Sequence, residues 1–297
     1  MKNIVTTLFA CLLVAAPATL VAQSNDTEEL KIAALEALIS APPERALPIV
    51  QRVLKSDDSD EIKERALFIL SQIDLPEAQA LLADTARTAT GELQFEAIRM
   101  TGISGDTAAM AGLSAIYETG NMEVREAVLE AYLIADDSDA VYQIAADTED
   151  PDEFEAAVET LGAMGATEQL RQLRDRTEMS EVLVEAYAIA GDVESLQTLA
   201  ADASDPEVQL EAISALGMVG GPDVNTTLVE IYRNAASEDT REAALEGMMI
   251  AGHDEGVLQL FHESENPAQK RELLEMLVVM DSDAVWDLID ATLDEQQ

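Results

Sequence analysis

A stretch of about thirty residues recurs nine times along this chain of 297 residues. Each copy contains one apolar anchor residue, and successive anchors lie 26 to 32 residues apart. The nine anchors are Ala34, Ala66, Ala97, Val128, Ala157, Leu183, Ala212, Ala244 and Leu273. Repetition at this period is typical of solenoids, in which each repeat buries its apolar side only by stacking on its neighbours. The sequence therefore predicts a stack of similar repeats.

Each copy reads as two helices joined by turns. An aliphatic residue follows every anchor, and the residue four positions after the anchor is apolar in most copies, so these positions share one helical face. Eight positions after the anchor five copies have glycine, which favours a helix end there. A second apolar stretch follows, and the next helix is predicted to start at an Asp-Pro or Asn-Pro pair: Asp150-Pro151, Asp205-Pro206 and Asn266-Pro267.

These residues resemble HEAT-like repeats of the bilin-lyase type, in their short bacterial form. The resemblance is clearest between Leu47 and Ile73 and extends over about residues 26–297. It implies an all-α fold, an α-solenoid of about nine stacked helix-turn-helix repeats over residues 23–297. It also implies that the anchor helices line a concave inner surface. Trp286, near the end of the last copy, is predicted to seal the terminal core.

The first 22 residues have the pattern of a secretory signal peptide. Lys2 precedes an uncharged apolar run from Ile4 to Ala22, and acidic residues begin at Asp26. Cleavage is predicted after Ala22, with Ala18 as the alternative and an uncleaved membrane anchor as the competing interpretation. The only cysteine, Cys11, lies in this leader. The sequence thus predicts an exported protein, periplasmic or secreted, without stable membrane insertion after cleavage.

The chain is strongly acidic, with 59 Asp and Glu against 17 Lys and Arg and a formal net charge of −42. Such a surface repels nucleic-acid phosphates and anionic lipids, so nucleic acid is excluded as a partner. Disorder is the usual alternative for so acidic a chain. A hydrophobic content of 48% at helical spacing favours a folded protein instead.

Glutamate is concentrated at two positions of the anchor helices, two residues before and two residues after the anchor. Both positions are predicted to point away from the core on one helix face. The sequence predicts a partner-binding stripe made of nine residues: Glu126, Glu130, Glu155, Glu159, Glu181, Glu185, Glu242, Glu246 and Glu275. The other interpretation is that glutamate is a good helix former in a chain that is acidic throughout.

Arginine and histidine residues form two further candidate sites. Arg171, Arg174 and Arg176 could hold a carboxylate of a partner, but pairing with the nearby acids Glu168, Asp175 and Glu178 is favoured. His253 and His262 have no metal-binding spacing and are predicted to be solvated, so no metal and no cofactor is expected.

No catalytic motif is found in the sequence, so no catalytic residue is assigned and a non-enzymatic protein is predicted. The predicted function is a scaffold that docks a basic protein or peptide on its acidic inner surface in the cell envelope or exterior. The alternative is an enzyme or enzyme subunit, lyase-like, that acts on a small cationic or pigment-like ligand. A third interpretation assigns the acidic surface to salt tolerance alone.

Overall fold

The computed structural model describes residues 18–174, 180–202 and 204–294, and in these ranges the chain is all-α. Contacts divide it into two compact units, the first ending at Val124 and the second beginning at Arg125. Residues 1–17, most of the predicted signal peptide, lie outside the described residues. Among the described residues no helix is long and apolar enough to cross a membrane.

The first unit contains the helices of three repeats and ends in the first turn of the fourth anchor helix. Its helices are α1 (Ala18–Glu36), a 3-10 turn (Ala37–Ser40), α2 (Pro43–Leu54), α3 (Asp60–Ser71), α4 (Pro76–Thr88), α5 (Glu92–Ser104), α6 (Thr107–Met110) and α7 (Leu113–Thr119). Neighbouring anchor helices pack on one another, α1 on α3 and α3 on α5. The second helix of the third repeat is divided into α6 and α7, an interruption that the sequence pattern did not predict.

The boundary between the units falls inside α8 (Met122–Ala135), and the remaining helices belong to the second unit. They are α9 (Ser138–Asp147), α10 (Pro151–Ala163), α11 (Thr167–Gln172), α12 (Ser180–Ala190), α13 (Val193–Ala201), α14 (Pro206–Val219), α15 (Pro222–Asn234), α16 (Glu238–Ile250), α17 (Asp254–Glu263), α18 (Pro267–Val279) and α19 (Asp283–Asp294). With α6 and α7 taken as one, the described residues form nine helix pairs, as the repeat predicts.

The anchor residues form the core between stacked helices. Eight of the nine anchors are buried, and so is the residue after the anchor in eight copies. The first copy departs from the prediction, because Ala34 is exposed and Leu35 takes the buried position. In that copy the α-helix ends at Glu36 and a tighter 3-10 turn follows, so the helix does not continue in the phase of the other copies.

The turn after each anchor helix has the same hydrogen bonds in many repeats. The residue eight positions after the anchor has a positive φ in seven copies: Gly105, Asp136, Gly165, Gly191, Gly220, Gly252 and Asp281. In five copies the next N–H then donates to the carbonyl oxygen four positions after the anchor, as from Asp192 to Tyr187. This is the Schellman arrangement that ends a helix on a left-handed residue.

Helix starts follow the predicted chemistry. α10, α14 and α18 begin at Pro151, Pro206 and Pro267. In each case the side chain of the preceding Asp or Asn accepts a hydrogen bond from a backbone N–H in the first turn. The Asx-Pro prediction is therefore confirmed at all three sites.

Side chains about thirty residues apart bond directly, which shows that equivalent positions of successive repeats are neighbours. In the second unit Gln169 donates to Asp139, Gln197 donates to Thr227, and Arg233 donates two bonds to Glu263. Each of these bonds joins the second helix of one repeat to the second helix of the next.

The prediction for Trp286 is wrong. Its side chain is 57% exposed, whereas the preceding residue, Val285, is fully buried. Successive residues on a helix point about 100° apart, so Val285 occupies the core-facing position of α19 and Trp286 turns to solvent.

Candidate functional site

All nine glutamates of the predicted stripe are exposed on anchor helices of the second unit. α10, α12 and α16 carry two each at the predicted positions, and so does α8. α18 carries only Glu275, because Arg271 occupies the position two residues before its anchor. The acidic character is therefore strongest from α8 to α16.

The stripe is interrupted on α14. This helix packs between α12 and α16, but its two equivalent positions are Leu210 and Ser214. Glu211, one position further along than Leu210, supplies a carboxylate that the predicted positions did not include. We call the resulting set the acidic face: Glu155, Glu159, Glu181, Glu185, Glu211, Glu242 and Glu246.

Glu211 shows that carboxylates of neighbouring helices interact across this face. Its pKa is raised, first by partial burial and then by the negative charges of Glu181 and Glu185 on α12. A shift of this kind requires like charges close enough to repel across two helices. Carboxylates of α12 and α14 therefore repel one another on this face.

Basic side chains leave this face free. Within the described ranges, no Lys, Arg or His forms a salt bridge with any of the nine predicted glutamates or with Glu211. The first unit differs, since there Arg99 pairs with Glu96 on α5 at 2.7 Å and Arg65 lies 3.6 Å from Glu36. Glu36 and Glu96 of the first unit thus have basic neighbours, whereas the pKa of Glu64 on α3 is raised by partial burial and by nearby carboxylates such as Glu96.

Two surface grooves flank α14 on the acidic face. The groove between α12 and α14 has a volume of ≈ 570 Å³ and contains Glu185 and Glu211 among apolar residues such as Ile189 and Met218. The groove between α14 and α16 has a volume of ≈ 280 Å³ and is lined by Leu210, Ser214, Asp239, Glu242, Ala243 and Glu246. Both grooves are lined by apolar side chains together with carboxylates.

The arginine cluster has a different role from the one predicted. Arg171 pairs with Asp192 and Glu194, both of the following repeat, and forms no salt bridge with Glu168, the one predicted acidic partner among the described residues. Asp175, Arg176 and Glu178 lie outside the described residues. Asp192 is buried and lies 21 residues further along the chain, so it could not be recognised as the partner of Arg171 from local charge spacing.

The histidines do not assemble a site. His253 immediately precedes α17, and His262 is exposed with its ring edge-on to Phe261 at 5.7 Å between centroids. Among the described residues no group of three or more His, Cys, Asp or Glu side chains is arranged to hold a metal ion.

Comparison with known proteins supports the repeat assignment. Residues 185–249 match the family model of HEAT repeats. This segment of the chain is similar to HEAT repeats. The matched segment runs from α12 to α16 and so contains Glu211 and both grooves of the acidic face. No curated protein matches the sequence.

Several solved structures resemble the fold. The complex of CpcE and CpcF of phycocyanin lyase from Nostoc sp. PCC7120 is 21% identical, with 81% of this chain and 95% of that chain covered and a TM-score of 0.34. Human deoxyhypusine hydroxylase in complex with glycerol is 20% identical, with 88% and 94% covered and a TM-score of 0.36. An engineered protein is 19% identical, with 78% and 95% covered and a TM-score of 0.25.

The prediction of a non-enzymatic protein is corrected by these findings. Two of the similar structures described above are named as enzymes, a lyase and a hydroxylase. The absence of a familiar sequence motif was the wrong basis for that prediction. Likeness at this level shows the fold alone, and function is specified by sites and not by folds.

Proposed function

We propose that the acidic face of the second unit binds a basic protein or peptide segment. The observation that carries this proposal is the array of exposed glutamates on α10, α12 and α16, for which the described residues contain no salt-bridge partner. Like charges at i, i+4 on one helix cost about 0.2–0.5 kcal/mol per pair. The glutamate pairs on α10, α12 and α16 retain this repulsive free energy while the protein is unbound, and a bound cationic partner would relieve it.

Electrostatics also supports the class of partner. Clefts lined by charges of one sign attract ligands of the opposite sign over a distance of about a Debye length, ~10 Å at 0.1 M salt. Nucleic acids and anionic lipid surfaces are repelled by the same field. Lysine- or arginine-rich protein segments therefore fit this face best.

A defined polycation tests the proposal. Binding of a twenty-residue poly-lysine peptide is measured by isothermal titration calorimetry at 50 and 200 mM salt. The wild type is compared with the variant Glu181→Gln, Glu185→Gln, Glu242→Gln and Glu246→Gln. We expect this variant to bind at least tenfold more weakly, and its affinity to depend less on salt.

A matched control separates the face from the overall charge. Asp147→Asn, Glu168→Gln, Glu230→Gln and Glu255→Gln together remove four exposed charges from the second helices α9, α11, α15 and α17. Both variants change the net charge equally. Equal losses of affinity in the two variants would show that binding follows total charge, and the proposed face would be wrong.

We also propose that the protein acts outside the cytoplasm. Support comes from the uncharged apolar run of Ile4 to Ala22 after Lys2, followed by the acidic chain from Asp26. Determination of the N-terminal residue of the protein purified from its native host tests this. Gln23 as the first residue is the expected result, and Met1 would contradict it.

A further inference from the structure

An exposed aliphatic row accompanies the acidic face. Six positions after the anchor, anchor helices of both units carry a large apolar residue that faces solvent: Ile103, Ile134, Ile189, Met218, Ile250 and Val279. In the second unit Ile189 is 56%, Met218 65% and Ile250 51% exposed. Single exposed apolar residues are normal on protein surfaces, but a repeated position is not explained in that way.

The aliphatic row runs beside the acidic face. Ile189 and Ile250 follow Glu185 and Glu246 by four residues, and residues four apart lie on the same side of a helix about one turn apart. One helical turn is about 5.4 Å. An acidic and an apolar row are therefore adjacent on α12 and α16, and on α14 the apolar row continues with Met218.

The two rows meet in the groove between α12 and α14. Ile189 and Met218 line this groove together with Glu185 and Glu211, in a volume of ≈ 570 Å³. An apolar side chain that enters the groove would therefore lie beside two carboxylates. The chemistry of the groove suits a partner that presents an apolar residue next to a basic one.

Resting on the proposed function, we infer that the occupant of this surface is a basic amphipathic helix of a partner protein. Its basic side contacts the acidic face, and its apolar side covers Ile189, Met218 and Ile250. A helix can present two adjacent rows of different chemistry to one surface, because residues at i, i+3 and i+4 share a face. An extended segment directs successive side chains to opposite sides and so offers one row.

The negative charge of the acidic face argues against two other occupants of this surface. A second copy of this chain would bring its own acidic face against the first, which like-charge repulsion opposes. A lipid surface would satisfy the apolar row, but anionic head groups would meet the seven carboxylates of the acidic face. A cationic helix satisfies both rows.

Two synthetic peptides of twenty residues test the inference. Both contain the same numbers of Lys, Leu and Ala; in one the Leu residues recur at i, i+3, i+4 and i+7, and in the other their order is scrambled. Titration calorimetry measures affinity for the full-length protein, and circular dichroism measures peptide helicity. We expect the amphipathic peptide to bind at least about tenfold more tightly and to gain helicity, since partial burial of apolar side chains is worth about 1.4 kcal/mol or more.

Variants of the protein locate the contact. Ile189→Gln, Met218→Gln and Ile250→Gln together should reduce affinity for the amphipathic peptide about tenfold and leave affinity for poly-lysine within about twofold. The matched control replaces three equally exposed apolar residues of the first unit, Leu30→Gln, Ile39→Gln and Met122→Gln. The control should leave both affinities unchanged.

Failure of this inference differs from failure of the proposed function. If poly-lysine binds the acidic face but the amphipathic and scrambled peptides bind equally, the aliphatic row is not a contact surface. If poly-lysine binding is insensitive to the glutamate substitutions, the acidic face itself is not the site. Concentration-dependent dimers of the wild type that are abolished by the Ile189, Met218 and Ile250 substitutions would assign the row to self-association and overturn the inference.

Discussion

Arg171 at the end of α11 donates two hydrogen bonds to the carboxylate of Asp192, which caps α13 of the next repeat. The distances are 2.7 Å from Nε to Oδ2 and 2.6 Å from Nη2 to Oδ1. Asp192 also accepts bonds from the backbone N–H of Ser195 at 3.2 Å and from its hydroxyl at 2.7 Å. One carboxylate thus caps a helix and ties two repeats together.

The Asp192 carboxylate should be a measurable source of stability. Its side chain is 1% exposed, and removal of its oxygens in Asp192→Ala abolishes both the cap and the charge-assisted bonds from Arg171. We expect a loss of about 2–3 kcal/mol in the free energy of unfolding, measured by urea denaturation. Glu194→Ala removes only an exposed partner of the same arginine, and a comparable loss there would contradict this account.

The pKa of Asp192 predicts how the free energy of unfolding changes at acidic pH. Burial raises the pKa of Asp192, but hydrogen bonds from Arg171 and Ser195 outweigh it and hold the pKa below its usual value of 3.8. A carboxyl group with a lowered pKa stabilises the fold above its unfolded pKa, and this contribution is lost as the pH falls through the folded pKa. The difference in stability between wild type and Asp192→Ala should therefore be full above about pH 5 and shrink below about pH 4.

Gly217 marks the closest approach of two anchor helices. A Cβ atom at this position would lie 2.7 Å from the Cα atom of Gly247, so α14 and α16 would have to separate. Gly217→Ala should lower the free energy of unfolding by about 1–3 kcal/mol, although alanine normally favours a helix over glycine. Met218→Ala, at the next and exposed position, is the control and should leave stability nearly unchanged. A stabilised Gly217→Ala protein would show that the two helices do not touch there.

Asp136 occupies a backbone conformation that other repeats give to glycine. Its φ is 57°, and Gly165 adopts 67° at the same position one repeat later. Left-handed residues with a Cβ cost about 1–2 kcal/mol, and somewhat less for aspartate. Asp136→Gly should raise the melting temperature by a few degrees, and Gly165→Asp should lower it; calorimetry measures both. The same direction of change in both variants would contradict this explanation.

Glu211 should destabilise the free protein at neutral pH. Burial and the charges of Glu181 and Glu185 raise its pKa above 4.5, so its ionised form is disfavoured in the folded state. Its contribution to stability therefore decreases as the pH rises from the unfolded pKa through the folded pKa. Glu211→Gln should raise the free energy of unfolding at pH 7 by a few tenths of a kcal/mol, and added salt should narrow the difference.

A control on the same helix distinguishes local repulsion from total charge. Glu207 lies in the first turn of α14, where a negative charge favours the helix dipole. Glu207→Gln removes one charge, as Glu211→Gln does, but should leave stability unchanged or slightly lower. A gain equal to that of Glu211→Gln would indicate that net charge alone limits stability.

Much of the fold could be predicted from the sequence, because each repeat has the same apolar positions and similar helix caps. The anchor positions, the Asx-Pro starts such as Asp150-Pro151 and the glycine stops were predicted from single helices and confirmed, apart from the shift from Ala34 to Leu35. The burial of Trp286 was predicted wrongly, because the sequence does not show which of two adjacent residues, Val285 or Trp286, packs into the core. The division of the third repeat's second helix had no clear signal in the apolar pattern.

The candidate site was only partly accessible. The sequence located the glutamates on α10, α12 and α16 and their exposed phase, but it missed Glu211, which lies one position outside the pattern. The aliphatic row at Ile189, Met218 and Ile250 was not predicted, because the apolar pattern was followed only at the anchor, the next residue and the residue four positions later. The partner of Arg171 was missed for a related reason, since Asp192 approaches it only after two repeats stack.

The sequence by itself determined the helices and the repeat, because helix formation, capping and apolar phase depend on residues within one or two turns of each other. Only the tertiary structure decided which carboxylates repel, which arginine is satisfied and which aliphatic residues remain in solvent. Those properties depend on distances between side chains about thirty residues apart, and such distances exist only when one repeat packs on the next.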